Sequence, residues 1–300
     1  MDIRTDTIAI PGKAITIHIR REDLVDPVVS GNKFRKLKYN LIQAKTDGYS
    51  RLLTFGGAFS NHIAAVAAVG KRDGFSTIGI IRGEELSTAI ISNPTLSFAQ
   101  NCGMQLEFIS RETYRDKGNP AFIEKLQMQF GPFYMIPEGG TNTRAVKGCE
   151  EILTDADIDF DYICCAAGTG GTAAGIIKAS GEKQTVLVFP ALKGGFLDKA
   201  ISAFTTKQNW RQILGYDFGG YGKVDLALIN FINRFYRDTQ IPLDPVYTGK
   251  MFFGVMDLIR KDYFAEGSKI LVIHTGGLQG ITGMNNKLRN KNYPLIEIDV

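Results

Sequence analysis

Short apolar runs alternate with helix-patterned segments along most of this chain, and that alternation limits its fold more than any other feature. Arg51-Leu52-Leu53-Thr54-Phe55 ends at Gly56-Gly57 and precedes a helical stretch at 63–69. Ser76-Thr77-Ile78-Gly79-Ile80-Ile81 precedes helix-patterned 96–101, and Gln105-Leu106-Glu107-Phe108-Ile109 precedes 122–130. Further strand-like runs occupy 161–167, 185–189 and 269–273. Apolar strands separated by helices imply parallel sheets covered on both faces, the α/β class. Pro137-Glu138-Gly139-Gly140-Thr141-Asn142 reads as a crossing between two lobes. The expected division is residues 1–35 with 142–300 in a large lobe and 36–141 in a small one.

Ligands of such sheets bind beyond the carboxyl ends of the strands, so the loops after strands carry the functional signal. The first is Gly56-Gly57-Ala58-Phe59-Ser60-Asn61-His62, which puts hydroxyl, amide and imidazole at one helix start. One of Ser60 and Asn61 is expected to cap that helix. The second is Gly168-Thr169-Gly170-Gly171-Thr172. Small residues before a helix offer free N–H groups, two hydroxyls and a positive dipole end, which suits a phosphate. The loop lacks the Gly-Lys-Ser/Thr ending of a Walker loop. It fits Gly-x-Gly-x-x-Ala, but the next strand, Thr185-Val186-Leu187-Val188-Phe189-Pro190, has no carboxylate to hold a dinucleotide ribose. A single phosphate group is the better match. The third loop is His274-Thr275-Gly276-Gly277, with a hydroxyl at a strand end; its His274 reads as a core histidine.

One further segment is chemically distinctive. In Ser30-Gly31-Asn32-Lys33-Phe34-Arg35-Lys36-Leu37-Lys38-Tyr39 a lysine stands directly behind a Gly-Asn turn, with Phe34, Leu37 and Leu41 at helical spacing. A short tether and the cationic neighbours Arg35, Lys36 and Lys38 would disfavour its charged form and make it nucleophilic toward aldehydes.

Composition excludes little but usefully. With 44% hydrophobic and 22% charged residues over 300 positions, a sizeable core is available. The net charge of +4 is dispersed, so no nucleic-acid stripe is expected. Cys102, Cys149, Cys164 and Cys165 form no Cys-x-x-Cys pair, and the adjacent two lie in an apolar run, which suits a reducing compartment. No run approaches membrane-spanning length and the N-terminus lacks an apolar signal core, so a cytoplasmic location without membrane contact is expected.

A nucleophilic lysine, a single-phosphate cup and a hydroxyl at a strand end are what pyridoxal 5'-phosphate requires. Here the chain resembles the fold type II pyridoxal-phosphate enzymes that include 1-aminocyclopropane-1-carboxylate deaminase and D-cysteine desulfhydrase. The likeness covers nearly the whole chain. It runs through Arg21-Glu22-Asp23-Leu24, Gly31-Asn32-Lys33-Phe34-Arg35-Lys36-Leu37, Gly56-Gly57 with Ser60-Asn61-His62, and the 168–172 loop. It continues through Asp244-Pro245-Val246-Tyr247-Thr248-Gly249-Lys250 and His274-Thr275-Gly276-Gly277. The resemblance implies a two-lobed α/β fold, a small amino-acid substrate and a homodimer. It gives Lys33 the Schiff base, Asn61 the ring hydroxyl, Gly168, Thr169, Gly170, Gly171 and Thr172 the phosphate, and Thr275 the pyridine nitrogen. Ser60, with Asn61 and His62, would face the substrate, and Tyr247 and Tyr221 would be the active-site tyrosines.

Two positions choose within that family. Ring-opening deaminases carry glutamate where this chain has Thr248 and leucine where it has Thr275. Neutral hydroxyls there imply a D-cysteine desulfhydrase-like β-elimination, with the aminocyclopropane deaminase as the alternative. A nicotinamide-dependent oxidoreductase and a cofactor-binding protein without turnover are the remote alternatives. The chain departs from both named enzymes at Ile63-Ala64-Ala65, at Leu278-Gln279-Gly280-Ile281-Thr282-Gly283, and in its shorter stretch between Lys193 and Tyr221, segments expected to line the substrate mouth.

Overall fold

The computed structural model describes residues 3–27 and 29–298. In chain order the elements are β1 Thr5–Ala9, β2 Thr16–Arg20, α1 Asn32–Thr46, β3 Arg51–Gly56, α2 Asn61–Asp73, β4 Ser76–Arg82 and α3 Pro94–Asn101. They continue with β5 Gln105–Ile109, α4 Arg111–Arg115, α5 Pro120–Phe130, β6 Tyr134–Ile136, α6 Thr143–Glu150, β7 Tyr162–Ala167 and α7 Gly171–Ala179. The last are β8 Thr185–Pro190, α8 Leu197–Ser202, β9 Trp210–Gln212, α9 Leu226–Thr239, α10 Thr248–Arg260, β10 Lys269–Ile273 and α11 Gly280–Arg289.

The strands form two sheets, one of six in the order β1-β2-β10-β7-β8-β9 and one of four in the order β5-β4-β3-β6. All pairs are parallel except β1 with β2. Each sheet is packed on both faces, as its near-continuous apolar strands require. On β7 the alternation sends Cys164 and Ala166 to a core with Phe252 and Val255 of α10, and Ile163 and Cys165 to a core with Ile176 and Ile177 of α7. Both adjacent cysteines are fully buried and unpaired. In the smaller sheet, Leu52 and Ile81 meet Val66 of α2, whereas Leu53, Phe55 and Ile80 meet Tyr114, Leu126 and Phe130.

Helix α1 links the two sheets. Its Leu37, Leu41 and Ala44 join the core of the four-stranded sheet. Its other side meets α6 so closely that a Cβ on Gly148 would lie 2.0 Å from the Arg35 carbonyl oxygen. Two buried ion pairs fix the segment before it. Glu22 takes both guanidinium bonds of Arg35 at 2.9 and 2.9 Å, and Asp23 takes those of Arg21 at 2.9 and 2.7 Å. Such bidentate pairs are strong and directional, and they set the angle at which the chain enters α1.

The entry turn itself depends on Gly31, at φ +67°. A Cβ there would lie 1.9 Å from the Thr275 carbonyl oxygen, inside bonding range of a backbone atom. Gly31→Ala therefore has to push the start of α1 off the end of β10. We expect it to lower stability by roughly 1–3 kcal/mol or more in urea denaturation. A midpoint equal to wild type would contradict this.

Candidate active site

Lys33 is the second residue of α1 and only partly accessible; its amine donates to Asn32 Oδ1 at 2.9 Å. Its pKa falls from 10.5 to about 8, chiefly because burial disfavours the ammonium, with Cys149 and Asp244 partly offsetting the effect. The cause differs from the one expected. Arg35 is neutralised by Glu22, and Lys38 turns to Glu151 at 2.8 and 2.7 Å, so desolvation rather than a cationic crowd depresses the amine.

The Asn32 side chain reaches the glycine-rich loop, donating to Thr172 Oγ1 at 2.8 Å, and its backbone N–H donates to the Thr275 carbonyl at 3.2 Å. Three of the segments singled out above therefore meet at one residue. The 168–172 loop opens α7 with Gly170 left-handed at φ +85° and no side-chain cap, which leaves the first N–H groups of the helix free. Into the same place projects a residue whose role sequence reasoning missed. Lys36 is 3% exposed and donates to the Gly139 carbonyl at 2.7 Å, to Thr141 Oγ1 at 2.9 Å and to Thr169 Oγ1 at 3.5 Å. Burial, then the charge of Lys33, lowers its pKa to about 7. A buried amine among hydroxyls and a helix N-terminus, with no carboxylate bonded to it among the described residues, fits a phosphate group. The available signal was spacing: Lys33 and Lys36 are three apart on one helix face.

The opposite wall comes from the first and third loops. Ser60 caps α2, accepting from the Ile63 N–H at 3.3 Å, which leaves its own O–H to donate elsewhere. The Asn61 amide abuts Gly277, where a Cβ would lie 2.9 Å from Nδ2. Phe59 lies against Gly283 of α11, so this loop touches both the 274–277 loop and the helix that follows it. Thr275 is 7% exposed, and among the described residues no acidic side chain bonds its hydroxyl. His274 is fully buried on the Pro242 carbonyl, at 2.6 Å, and beside Asp23, as a core histidine should be.

His62 departs from its expected place on the substrate side. It is 2% exposed, and its Nε2 pairs with Thr54 Oγ1 at 2.8 Å, whose hydroxyl contacts the Ile136 carbonyl. The ring is thus packed between β3 and the 138–140 turn, where burial and the two lysines hold its pKa well below 6.5. It supports the wall rather than facing the cleft.

Tyr247 precedes α10 and lies over the 168–172 loop, since a Cβ on Gly168 would be 3.1 Å from its ring. Tyr221 meets it edge-on, ring centroids 6.1 Å apart. Burial, then the neighbouring Tyr221 and Asp244, raises the Tyr247 hydroxyl well above 10, so at neutral pH it is a proton donor. Thr248 differs from expectation. It is fully buried and its hydroxyl donates to Asp244 Oδ1 at 2.7 Å. Asp244, also missed, accepts further bonds from the N–H groups of Val246, Tyr247 and Thr248 at 2.8, 3.0 and 2.7 Å. It is the cap that sets Tyr247.

An amine half-neutral near pH 8 has a defined signature. Reductive methylation of Lys33 by formaldehyde, followed by peptide mass, should accelerate about tenfold per pH unit up to roughly pH 8 and then level off. A rate still climbing through pH 10 would refute the shift.

Comparison with known proteins agrees with this arrangement. The family described as "Pyridoxal-phosphate dependent enzyme" matches residues 3–276. A Pyrococcus horikoshii protein named as a putative 1-aminocyclopropane-1-carboxylate deaminase is 31% identical, over 91% of this chain and 87% of its own length. The Arabidopsis thaliana bifunctional D-cysteine desulfhydrase/1-aminocyclopropane-1-carboxylate deaminase is also 31% identical, over 88% and 72%. A crystal structure described as an ACC deaminase homologue superposes with a TM-score of 0.81 at 28% identity, covering 97% of this chain and 94% of that one. The nicotinamide and non-catalytic alternatives fall with that match. A family match over residues 3–276 and relatives 31% identical over most of their length make this chain a pyridoxal-phosphate dependent enzyme of fold type II, in the family of the 1-aminocyclopropane-1-carboxylate deaminases and D-cysteine desulfhydrases.

Proposed function

We propose that this enzyme eliminates the β-substituent of a small amino acid, converting D-cysteine and water to pyruvate, ammonia and hydrogen sulfide. The observation that carries the reading is the neutral Thr275 hydroxyl just beyond β10, to which no carboxylate is bonded among the described residues. A neutral partner leaves a pyridine nitrogen largely unprotonated, which suits elimination better than ring opening. Thr248 drops out of that argument, because its hydroxyl is held by Asp244. The rival reading is ring opening of 1-aminocyclopropane-1-carboxylate to α-ketobutyrate and ammonia, supported by the name of the P. horikoshii relative.

In this reading Lys33 would hold the cofactor covalently, and Asn61 and Thr275 would orient its ring. The 168–172 loop and Lys36 would bind its phosphate. The cofactor supplies an electron sink at the substrate α-carbon. The Lys33 amine, half neutral near pH 8, would serve as the base for the α-proton. Ser60 donates its free O–H to the substrate carboxylate. Tyr247, protonated at neutral pH, gives a proton to the departing sulfur, and Tyr221 lies beside it.

The two-lobe division at 35/36 and 141/142 belongs to the same reading. It is supported by sheets that draw their strands from separate stretches, although α1 runs through the first boundary without a break. A homodimer and a cytoplasmic location complete it, the latter in keeping with four unpaired cysteines and the absence, among the described residues, of a helix long and apolar enough to cross a membrane.

Incubation with D-cysteine should release sulfide and pyruvate in equal amounts, while aminocyclopropane carboxylate should yield little α-ketobutyrate. Rapid α-ketobutyrate release without sulfide would overturn the reading. Tyr247→Phe should lower kcat roughly 10²–10⁴-fold with the cofactor's visible band retained. Lys36→Met should weaken binding of pyridoxal phosphate but leave that of unphosphorylated pyridoxal nearly unchanged, as read by titration of that band.

A further inference from the structure

One buried cation takes no part in the chemistry above. Lys250, in the first turn of α10, is 2% exposed, and its amine donates to the backbone carbonyls of Asp217 at 2.7 Å and Gly220 at 2.8 Å. A fully buried lysine is expensive to desolvate, and packing alone would be served better by an apolar residue of the same length. What it binds explains its presence. Both carbonyls belong to the connection between β9 and α9, a glycine-rich loop with Gly215, Phe218, Gly219, Gly220 and Gly222 at positive φ. Such a segment has many backbone conformations to choose from, and few of them would keep Tyr221 beside Tyr247.

One face of α10 selects among those conformations. Tyr247 meets the Tyr221 ring, and Lys250 holds the carbonyls on either side of the turn. Phe253 packs edge-on against Phe218 at 5.0 Å, and Asp257 accepts from the Tyr216 hydroxyl at 2.7 Å. Gly254 leaves room for the Tyr216 ring, since a Cβ there would lie 3.0 Å from it. These positions recur at helical spacing, so the loop is laid along α10 as a strip, with Tyr221, 46% exposed, at its free end. Lys250 grips the carbonyl of Gly220, the residue before Tyr221, and its contact is made entirely to backbone.

We propose that Lys250 is a positioning residue: it latches the 217–222 loop to α10 and thereby holds Tyr221 against Tyr247 at the mouth of the site. The inference rests on the reading that these tyrosines act on the substrate. It predicts that Lys250 matters to turnover only through Tyr221, whereas a lysine serving stability alone would act independently of it.

The test uses cofactor-loaded wild type, Lys250→Met, Tyr221→Phe, the double variant and Tyr216→Phe. Hydrogen exchange by mass spectrometry reads the loop, and D-cysteine turnover reads its consequence. In Lys250→Met, residues 215–224 should exchange about tenfold faster or more, with α10 and the cofactor's visible band unchanged. Its kcat should fall roughly 10–100-fold with a smaller change in KM, and on the Tyr221→Phe background the same substitution should remove less than about threefold more. Full additivity of the two losses, or unchanged exchange in the loop, would overturn the proposal. If Lys250→Met does not fold, Tyr216→Phe, which frees the other end of the strip, should give the same non-additive pattern at smaller size, and its absence would likewise overturn it. Exchange is read whatever the substrate is. Failure of the elimination reading therefore appears as wild type without sulfide, and failure of the latch as a loop that does not loosen.

Discussion

The hydrogen bond from the Asn32 N–H to the Thr275 carbonyl joins the end of β10 to the start of α1, and the site depends on that junction. Strand β10 is a central strand of the six-stranded sheet, whereas α1 runs on into the core of the other sheet. The contact therefore fixes Lys33 relative to the hydroxyl at the strand end. It works only because Gly31 has no side chain and accepts a left-handed φ. The paired charges behind it, Glu22 with Arg35 and Asp23 with Arg21, are buried and rigid, so little freedom remains in the turn that aims Lys33.

Once α1 is fixed, its first turns divide two jobs between two lysines. Lys33 keeps a single side-chain acceptor, the Asn32 amide oxygen, and is left partly neutral by burial. Lys36, one turn further on, has three oxygen partners in a site built from Gly139, Thr141 and Thr169. An anion bound at the α7 N-terminus would restore the charge of Lys36 by pairing with it, and the ammonium would in turn hold the anion. In the proposed function one lysine has to lose its proton and the other to keep it, and what each can bind separates the two.

The parts legible in the sequence are those governed by periodicity or by small-residue turns. Buried parallel strands are continuous apolar runs, so β3, β4, β5, β7, β8 and β10 stood out, as did the glycine loops after them. The β1–β2 hairpin did not, because its outer strand is half exposed and reads as polar alternation, Thr5-Asp6-Thr7-Ile8-Ala9. Three-residue β6 and β9 are too short for any period to register. The roles of Lys36 and Asp244 were hidden for another reason. Spacing puts Lys36 on the face of Lys33 but does not show its distant partners Gly139, Thr141 and Thr169, and Asp244 acts largely through backbone N–H groups, which residue type does not reveal. His62 misled because adjacency to Ser60 and Asn61 suggests a shared face, whereas the third consecutive residue at a helix start already points into the core.

The locked Asp244 bears on how substrate choice could be altered. Its two oxygens accept four hydrogen bonds from the turn that sets Tyr247, and neither it nor Thr248 is reached by water. A glutamate at position 248 would place a second carboxylate in contact with a saturated one in a site without solvent. One of the two would have to take up a proton or leave, and leaving would unwind the start of α10. In this chain, then, the residue that distinguishes the ring-opening relatives cannot be introduced alone. It requires a rebuilt cap at Asp244, and the same rebuilding would move Tyr247. Thr275 is free of that constraint, since its hydroxyl has no such partner, and it is there that the polarity of the site can change without disturbing the fold.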